Sequence, residues 1–246
     1  MENEQFFDSA SLWYDKMVNF ENSIIRRQKF YKELLENNKK TVADIGCGSG
    51  IDSVSLALQG FNVTGFDISE GMLKEAIENA GKFNVNINFE KKDFSLENAE
   101  INDKYNYVIS MGNTLANIPK NLIKTFVQNV YGLLLNNGKF IFQIVNFQKL
   151  INSNERILNI TNNEEDYFIR FYDFFDEFIN FNILKFNKTN NKEKLLLTTK
   201  LYPYNFEYMN NLLIEAGFAN IYCFSGFDKN KFDVDKSADI IIIAEK

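Results

Sequence analysis

The chain has 246 residues, of which 45% are hydrophobic and 24% charged, a composition that excludes intrinsic disorder and suits one large α/β domain. Its 27 basic and 33 acidic residues give a net charge of −6 without a cluster of lysine and arginine, which argues against a nucleic-acid partner. The chain contains no histidine, so catalysis by Ser-His-Asp or Cys-His groups is excluded, and we expect no metal site.

Up to residue 146, predicted strands and helices alternate along the chain. A helix at 21–37 is followed by strands at 41–46, 61–67, 86–92, 105–111 and 138–146, with intervening helices at 53–59, 69–80 and 122–135. Strands that alternate with helices of this kind indicate parallel crossovers. We therefore predict an α/β fold with a doubly wound, mostly parallel sheet of seven strands.

After residue 147 the alternation lapses. Three strand-like, aromatic-rich segments at 166–175, 178–186 and 193–202 predict an antiparallel β insertion. A helix at 203–217 and strands at 218–227 and 237–246 complete the core. The predicted single domain, 1–246, thus comprises an N-terminal helical lid (1–37), a core (38–146 and 204–246) and an insertion (147–203) over the substrate site.

The most informative motif is the glycine loop D-I-G-C-G-S-G, which runs from Asp44 to Gly50 between the first strand and its helix. Glycines at alternate positions let a ligand approach the backbone, and the helix that follows offers free N–H groups. The dinucleotide fingerprint G-x-G-x-x-G fails here, because Ile51 stands where its third glycine belongs. A tight turn without a ligand is the alternative interpretation.

Two acidic residues follow later strands. Asp67 ends the second strand, where a carboxylate can accept hydrogen bonds from both hydroxyls of a ribose, although the same segment could serve as a helix cap. Asp93 follows the third strand together with Phe94, where the pair could bind an adenine amino group and flank its ring. The alternative for Asp93 is a loop aspartate without a ligand.

These motifs carry a family resemblance. ADIGCGSG, VTGFDIS, KKDF and YVISMGN, in this order, resemble the successive motifs of class I S-adenosylmethionine-dependent methyltransferases. The resemblance implies S-adenosylmethionine as the cofactor and an inserted antiparallel seventh strand at the C-terminus. It also implies a set of cofactor-binding residues: Gly46, Gly48 and Gly50 around the methionine portion, Asp67 on the ribose, Ile68 and Met72 against the adenine, and Asp93 with Phe94 at the adenine edge. Asp44 and Met111 complete the predicted cofactor-binding set.

A narrower resemblance is to the glycine and sarcosine N-methyltransferase group. It rests on GSGIDSVSLALQGFNVTGFDIS and on MGNTLANIP, in which Asn117 stands where the group often has histidine. Trp13 and Tyr14 lie where that group has an N-terminal lid. Arg26 and Arg27 lie where it has an arginine for the cofactor carboxylate.

Three residues are predicted to act on the methyl acceptor. Asn113 follows the fourth strand and could orient a polar acceptor. Arg170 and Tyr172 alternate on one face of a predicted strand, where an arginine between aromatic rings could hold a carboxylate with two hydrogen bonds. A loop-closing asparagine and a surface arginine that covers apolar rings are the alternatives.

The predicted function is methyl transfer from S-adenosylmethionine to a small molecule, with an amine as the candidate acceptor. Methyl transfer suits a chain without histidine, because the sulfonium donor is already activated and the enzyme can act largely by positioning. The alternatives are an RNA or protein methyltransferase, an S-adenosylmethionine-binding module without catalysis, and an NAD(P)-dependent oxidoreductase.

The remaining expectations concern location. The segment MENEQFFDSASLWYDK lacks the pattern of a signal peptide, and no apolar run approaches the ~20 residues of a membrane span. The two cysteines, Cys47 and Cys223, indicate reduced thiols. We therefore expect a cytoplasmic protein without a membrane partner.

Overall fold

The computed structural model describes residues 2–36, 38, 40–97, 99, 102–190 and 194–246, so the ends of the predicted segments at Met1, Asn37 and Glu193 lie outside the described residues. The helices are α1 (Glu2–Val18), α2 (Phe20–Leu34), α3 (Ile51–Ala57), α4 (Glu70–Lys82), α5 (Ile123–Leu133), α6 (Phe147–Ser153) and α7 (Phe206–Ala216). The strands are β1 (Thr41–Ile45), β2 (Asn62–Asp67), β3 (Asn88–Lys91), β4 (Tyr105–Ser110), β5 (Leu134–Val145), β6 (Ile157–Asn162), β7 (Asp166–Phe174), β8 (Ile179–Asn187), β9 (Lys194–Leu201), β10 (Ala219–Ser225), β11 (Asn230–Lys231) and β12 (Asp239–Glu245).

The main sheet has the strand order β11-β10-β12-β5-β4-β1-β2-β3. The five neighbouring strands β5, β4, β1, β2 and β3 pair in parallel, and β12 is antiparallel to both β5 and β10. The predicted α/β fold with an inserted antiparallel C-terminal strand is confirmed. The eighth strand, which exceeds the predicted seven, is the two-residue β11, too short to leave a pattern in the sequence.

The second sheet is antiparallel, with the order β6-β7-β8-β9. Its last three strands match the three strand-like segments of the sequence. The sequence analysis did not predict β6 or the preceding α6. The helix α6 has only seven residues, fewer than the pattern of a helical face requires, and β6 has mostly exposed side chains because it lies at the sheet edge.

The N-terminal segment folds as two helices, of which the sequence analysis located only the second. They are separated by Asn19, whose backbone is left-handed (φ 54°). The face of α1 that carries Phe6, Ala10, Trp13 and Met17 is buried. This face packs on α4 and on the second sheet, where the indole of Trp13 stacks on the ring of Phe168 with 5.4 Å between centroids.

Polar contacts fix α1 in this position. Asp8 Oδ1 accepts hydrogen bonds from Ser69 Oγ (2.6 Å) and from the backbone N–H of Gly71 (2.9 Å) at the beginning of α4. Asn3 donates to the carbonyl of Asn117 at 2.7 Å and accepts a hydrogen bond from Thr199 of β9. The helix therefore connects the main sheet with the second sheet.

Two further findings concern the described residues as a whole. Both cysteines are free thiols, with Cys47 buried and Cys223 half-buried. None of the helices in the described ranges has the length and apolarity that crossing a bilayer requires.

Candidate functional site

A cavity of about 560 Å³ opens where β1, β2, β4 and β5 end. Parallel α/β sheets bind ligands at this carboxyl edge. The cavity has two halves. The glycine-loop half is lined by Gly46, Cys47, Gly48, Ser49, Asp52, Asp67, Ile68, Met72, Asp93, Phe94, Met111 and Arg27. The insertion half is lined by Asn3, Phe6, Tyr14, Asn113, Asn117, Gln143, Arg170, Tyr172, Phe181, Lys200 and Tyr202.

The glycine loop is held against the end of β2. The backbone N–H groups of Gly46 and Cys47 donate to the carbonyl of Phe66 at 2.7 and 3.0 Å. Gly46 has φ 73°, and a Cβ there would lie 2.3 Å from Cγ2 of Thr114, so a larger residue would collide with the loop after β4. The loop is thus a close-fitting wall of the cavity rather than a free turn.

Two predicted cofactor residues, Asp44 and Gly50, lie outside the cavity lining. Asp44 is 1% exposed and accepts a hydrogen bond of 2.6 Å from Ser53 Oγ, behind the loop. A Cβ on Gly50 would lie 3.2 Å from Cβ of Ala76, so this glycine allows α3 to begin close to α4. Both residues thus contact the helices that follow the loop.

Asp44 should make stability depend on pH. Burial, with the neighbouring charge of Asp52, raises the pKa of Asp44 from 3.8 to about 8. Its contribution to stability is therefore fully present below pH ~4 and is lost as the pH rises towards 8. We expect the Tm difference between Asp44→Asn and the wild type to grow in favour of the variant by at least about 2–4 °C as the pH is raised from 5 to 8.5. Thermal unfolding measures this difference. The exposed Asp235→Asn is the control, and a Tm difference that does not change with pH would contradict the expectation.

Asp67 occupies the end of β2 at the floor of the glycine-loop half. Its Oδ2 accepts a hydrogen bond from the N–H of Gly48 (2.8 Å), and its Oδ1 accepts one from the N–H of Ser69 (2.9 Å). Ser69 in turn caps α4 by accepting from the N–H of Met72. The helix cap foreseen as an alternative is therefore Ser69, and Asp67 retains lone pairs for a ligand in the cavity.

The other predicted cofactor residues lie in the same half. Ile68, Met72, Asp93, Phe94 and Met111 all line the cavity. Oδ1 of Asp93 is occupied by the N–H and hydroxyl of Ser95. The ring of Phe94 is 2% exposed and packs edge-on against Phe66, so most of its surface supports the sheet.

Of the two adjacent arginines, the structure brings Arg27 to the cavity, whereas Arg26 is exposed. Arg27 Nε lies 2.9 Å from Oδ1 of Asp52, which also accepts a hydrogen bond of 2.6 Å from the hydroxyl of Tyr31. The guanidinium carbon lies 3.6 Å from the ring centroid of Phe227. The hydrogen bonds of the described residues leave both Nη atoms of Arg27 without an acceptor.

Asn113 joins the ends of β4 and β5. Its Oδ1 accepts a hydrogen bond from the N–H of Val145 (2.9 Å), and its own N–H donates to Oε1 of Gln143 (3.2 Å). Its Nδ2 donates to none of the described residues, and Asn113 is part of the cavity lining. The residue closes a loop, as the alternative interpretation held, and also offers a donor to a ligand.

Arg170 and Tyr172 lie on the face of β7 that lines the cavity, which agrees with the alternation seen in the sequence. Arg170 Nε donates to Oδ1 of Asn159 at 2.7 Å, and no described carboxylate pairs with this arginine. Burial lowers the pKa of Arg170, while the nearby hydroxyl-bearing rings of Tyr14 and Tyr172 oppose this effect. Burial also raises the pKa of Tyr172 to about 12.

Several lining residues were not singled out as site residues from the sequence. They are Asn3, Tyr14, Gln143, Lys200 and Tyr202. Tyr14 was noted only as part of the N-terminal segment that resembles a lid. The others come from α1, β5, β9 and the segment after β9, and no local motif marks them, because only the tertiary fold brings them to the cavity.

Comparisons with known proteins give the following similarities. Residues 42–138 match the family model described as a methyltransferase domain. A Geobacillus sp. (strain WCH70) protein with a provisional methyltransferase name is 29% identical over 65% of the chain and 65% of its own length. A glycine/sarcosine N-methyltransferase of Parasynechococcus marenigrum (strain WH8102) is 22% identical over 100% of the chain and 85% of its own length.

Solved structures share the fold. A S-adenosylmethionine-dependent methyltransferase from Clostridium acetobutylicum superposes with a TM-score of 0.80 at 19% identity, covering 97% of this chain and 98% of that one. An amino pentose methyltransferase from Micromonospora echinaspora, bound to S-adenosylmethionine, has a TM-score of 0.68 at 10% identity, with 94% and 95% of the two chains covered.

Proposed function

We propose that the chain is a class I S-adenosylmethionine-dependent methyltransferase and that it transfers the methyl group to the nitrogen of a small amine that also bears an anionic group. The observation that carries the proposal is that one cavity joins the glycine loop, which fits this cofactor, to an insertion half that contains Arg170, whose guanidinium pairs with no carboxylate among the described residues.

The residues of the glycine-loop half fit S-adenosylmethionine. A Cβ on Gly46 would collide with Thr114, so the loop packs tightly on the segment after β4 while Gly46 and Gly48 line the cavity. Asp67 would hold the ribose hydroxyls, and the free Nη atoms of Arg27 would hold the methionine carboxylate. When bound, the cofactor supplies an electrophilic methyl group on a positively charged sulfur.

The insertion half would bind and orient the acceptor. The carboxylates in the cavity lining are Asp52, Asp67 and Asp93, and all three belong to the glycine-loop half. An acceptor with a carboxylate could pair with the guanidinium of Arg170, as the name of the Parasynechococcus relative suggests for glycine and sarcosine. Nδ2 of Asn113 would donate a further hydrogen bond.

Among the described residues that line the insertion half, there is no carboxylate that could take a proton from the amine. Burial raises the pKa values of Tyr14 and Tyr172, so both hydroxyls stay protonated near neutral pH. The amine must therefore bind in its neutral form, having released its proton to solvent. The protein would then act by holding the nitrogen lone pair in line with the methyl group. Positioning of this kind can lower the activation barrier by several kcal/mol.

The test has a binding part and a turnover part. We expect S-adenosylhomocysteine, and not NADH, to bind in calorimetry. We also expect label from [methyl-³H]-S-adenosylmethionine to pass to amino acids or other anionic amines in a metabolite panel. Binding without transfer to any acceptor would indicate a module without catalysis, and transfer only to RNA or protein would replace the proposed acceptor class. Binding of NADH alone would overturn the proposal.

A further inference from the structure

We propose that Phe227, in the turn between β10 and β11, is a positioning residue for the cofactor. It would set the plane of the Arg27 guanidinium so that both Nη atoms face the methionine carboxylate. The inference rests on the proposed function, because it assigns a further residue to the same cofactor site. Phe227 itself does not line the cavity and is 200 residues from Arg27 in the chain.

The contact geometry supports this role. The guanidinium carbon of Arg27 lies 3.6 Å from the centroid of the Phe227 ring, a distance typical of a guanidinium stacked on an aromatic face. Asp52 holds the Nε side of the same group at 2.9 Å. The ion pair with Asp52 on one edge of the guanidinium still allows the guanidinium to rotate, whereas the Phe227 ring against its flat face restricts the orientation of its plane. Together they fix the fork of the two Nη atoms.

The turn that carries Phe227 is itself anchored to α2. The ring of Phe227 packs edge-on against Phe30, with 5.2 Å between centroids. In the same turn, Lys229 Nζ lies 3.0 Å from Oε2 of Glu33. The C-terminal hairpin thus reaches across to the helix that presents Arg27, and a restricted guanidinium loses less conformational freedom when the carboxylate binds.

The experiment compares two ligands. S-adenosylhomocysteine contains the amino acid portion, and 5′-methylthioadenosine keeps the adenosine and the thioether without it. We expect Phe227→Leu, which preserves apolar packing on Phe30, to weaken S-adenosylhomocysteine about 3- to 10-fold in calorimetry. The affinity for 5′-methylthioadenosine should stay within about twofold. The ratio of the two affinities within one variant does not depend on how much of the protein is folded.

Three further variants complete the design. Phe227→Tyr retains the ring and should restore the wild-type ratio. Glu33→Gln breaks the other link between α2 and the turn and should leave the ratio unchanged. Arg27→Met should lower the ratio, and adding Phe227→Leu to it should cause no further loss.

The outcomes separate the inference from the function on which it rests. If Arg27→Met lowers the ratio and Phe227→Leu does not, Phe227 has no positioning role. If Phe227→Leu weakened the binding of both ligands equally, Phe227 would have a structural role only, and the inference would likewise be overturned. Failure of the wild-type protein to bind either ligand would count against the proposed function itself.

Discussion

Replacing Asp67 with alanine is expected to weaken the binding of S-adenosylhomocysteine at least tenfold, measured by calorimetry. A hydrogen bond to a charged acceptor is worth about 1.5–3 kcal/mol, and a tenfold change in affinity corresponds to about 1.4 kcal/mol. Loss of both ribose contacts alone would therefore exceed tenfold. The N–H of Gly48 would also lose its acceptor, which loosens the glycine loop.

Two controls separate these contributions. Ser69→Ala removes the cap of α4 and the contact with Asp8 while leaving the carboxylate of Asp67 in place, so affinity should change only slightly. An analogue that lacks the ribose 2′-hydroxyl should lose less affinity on Asp67→Ala than S-adenosylhomocysteine does. Unchanged affinity for S-adenosylhomocysteine in Asp67→Ala would show that the ribose is held elsewhere.

The second large effect is expected at Arg170. Arg170→Ala should raise the KM for a carboxylate-bearing acceptor about 30-fold or more, because a charge-assisted pair of about 2–3 kcal/mol is lost. Arg170→Lys keeps the charge without the planar fork and should fall between the wild type and Arg170→Ala. Initial rates at saturating S-adenosylmethionine measure this, and cofactor affinity should remain nearly unchanged.

The matched control for Arg170 is Arg156, which pairs with Asp173 on the exposed side of the second sheet. Arg156→Lys should leave the acceptor KM at its wild-type value. If Arg170→Lys and Arg170→Ala both act on the true acceptor as the wild type does, Arg170 is a packing residue whose stem covers apolar rings.

The alternating core was predictable because its signals are local. The strands β1 and β4 and the second half of β5 contain short apolar runs, and the helices α4 and α5 have regularly spaced apolar residues. The same holds for β7, whose period of two correctly placed Arg170 and Tyr172 on one face. The helix α1 shows what such reasoning can miss: its buried face is regular, yet it was predicted only as part of a lid.

Within the glycine loop, the sequence motif and the cavity lining differ at two positions, Asp44 and Gly50. A linear motif counts Asp44 and Gly50 equally with Gly46 and Gly48, although it does not specify the direction in which each residue points. Burial of Asp44 against Ser53 and contact of Gly50 with Ala76 depend on how α3 and α4 meet. Similarly, one helical step of ~100° separates Arg26 from Arg27, and the tertiary contacts of Arg27 with Asp52 and Phe227 distinguish them.

The stacked pair of Trp13 and Phe168 gives the protein an internal optical reporter. Trp13 is the single tryptophan of the chain, so indole fluorescence arises from one place only. That place is the junction of α1 with the second sheet, 9% exposed and adjacent to the cavity-lining Tyr14. A shift in the Trp13 emission on addition of a ligand would therefore report a change at this junction, without a dye or an engineered label.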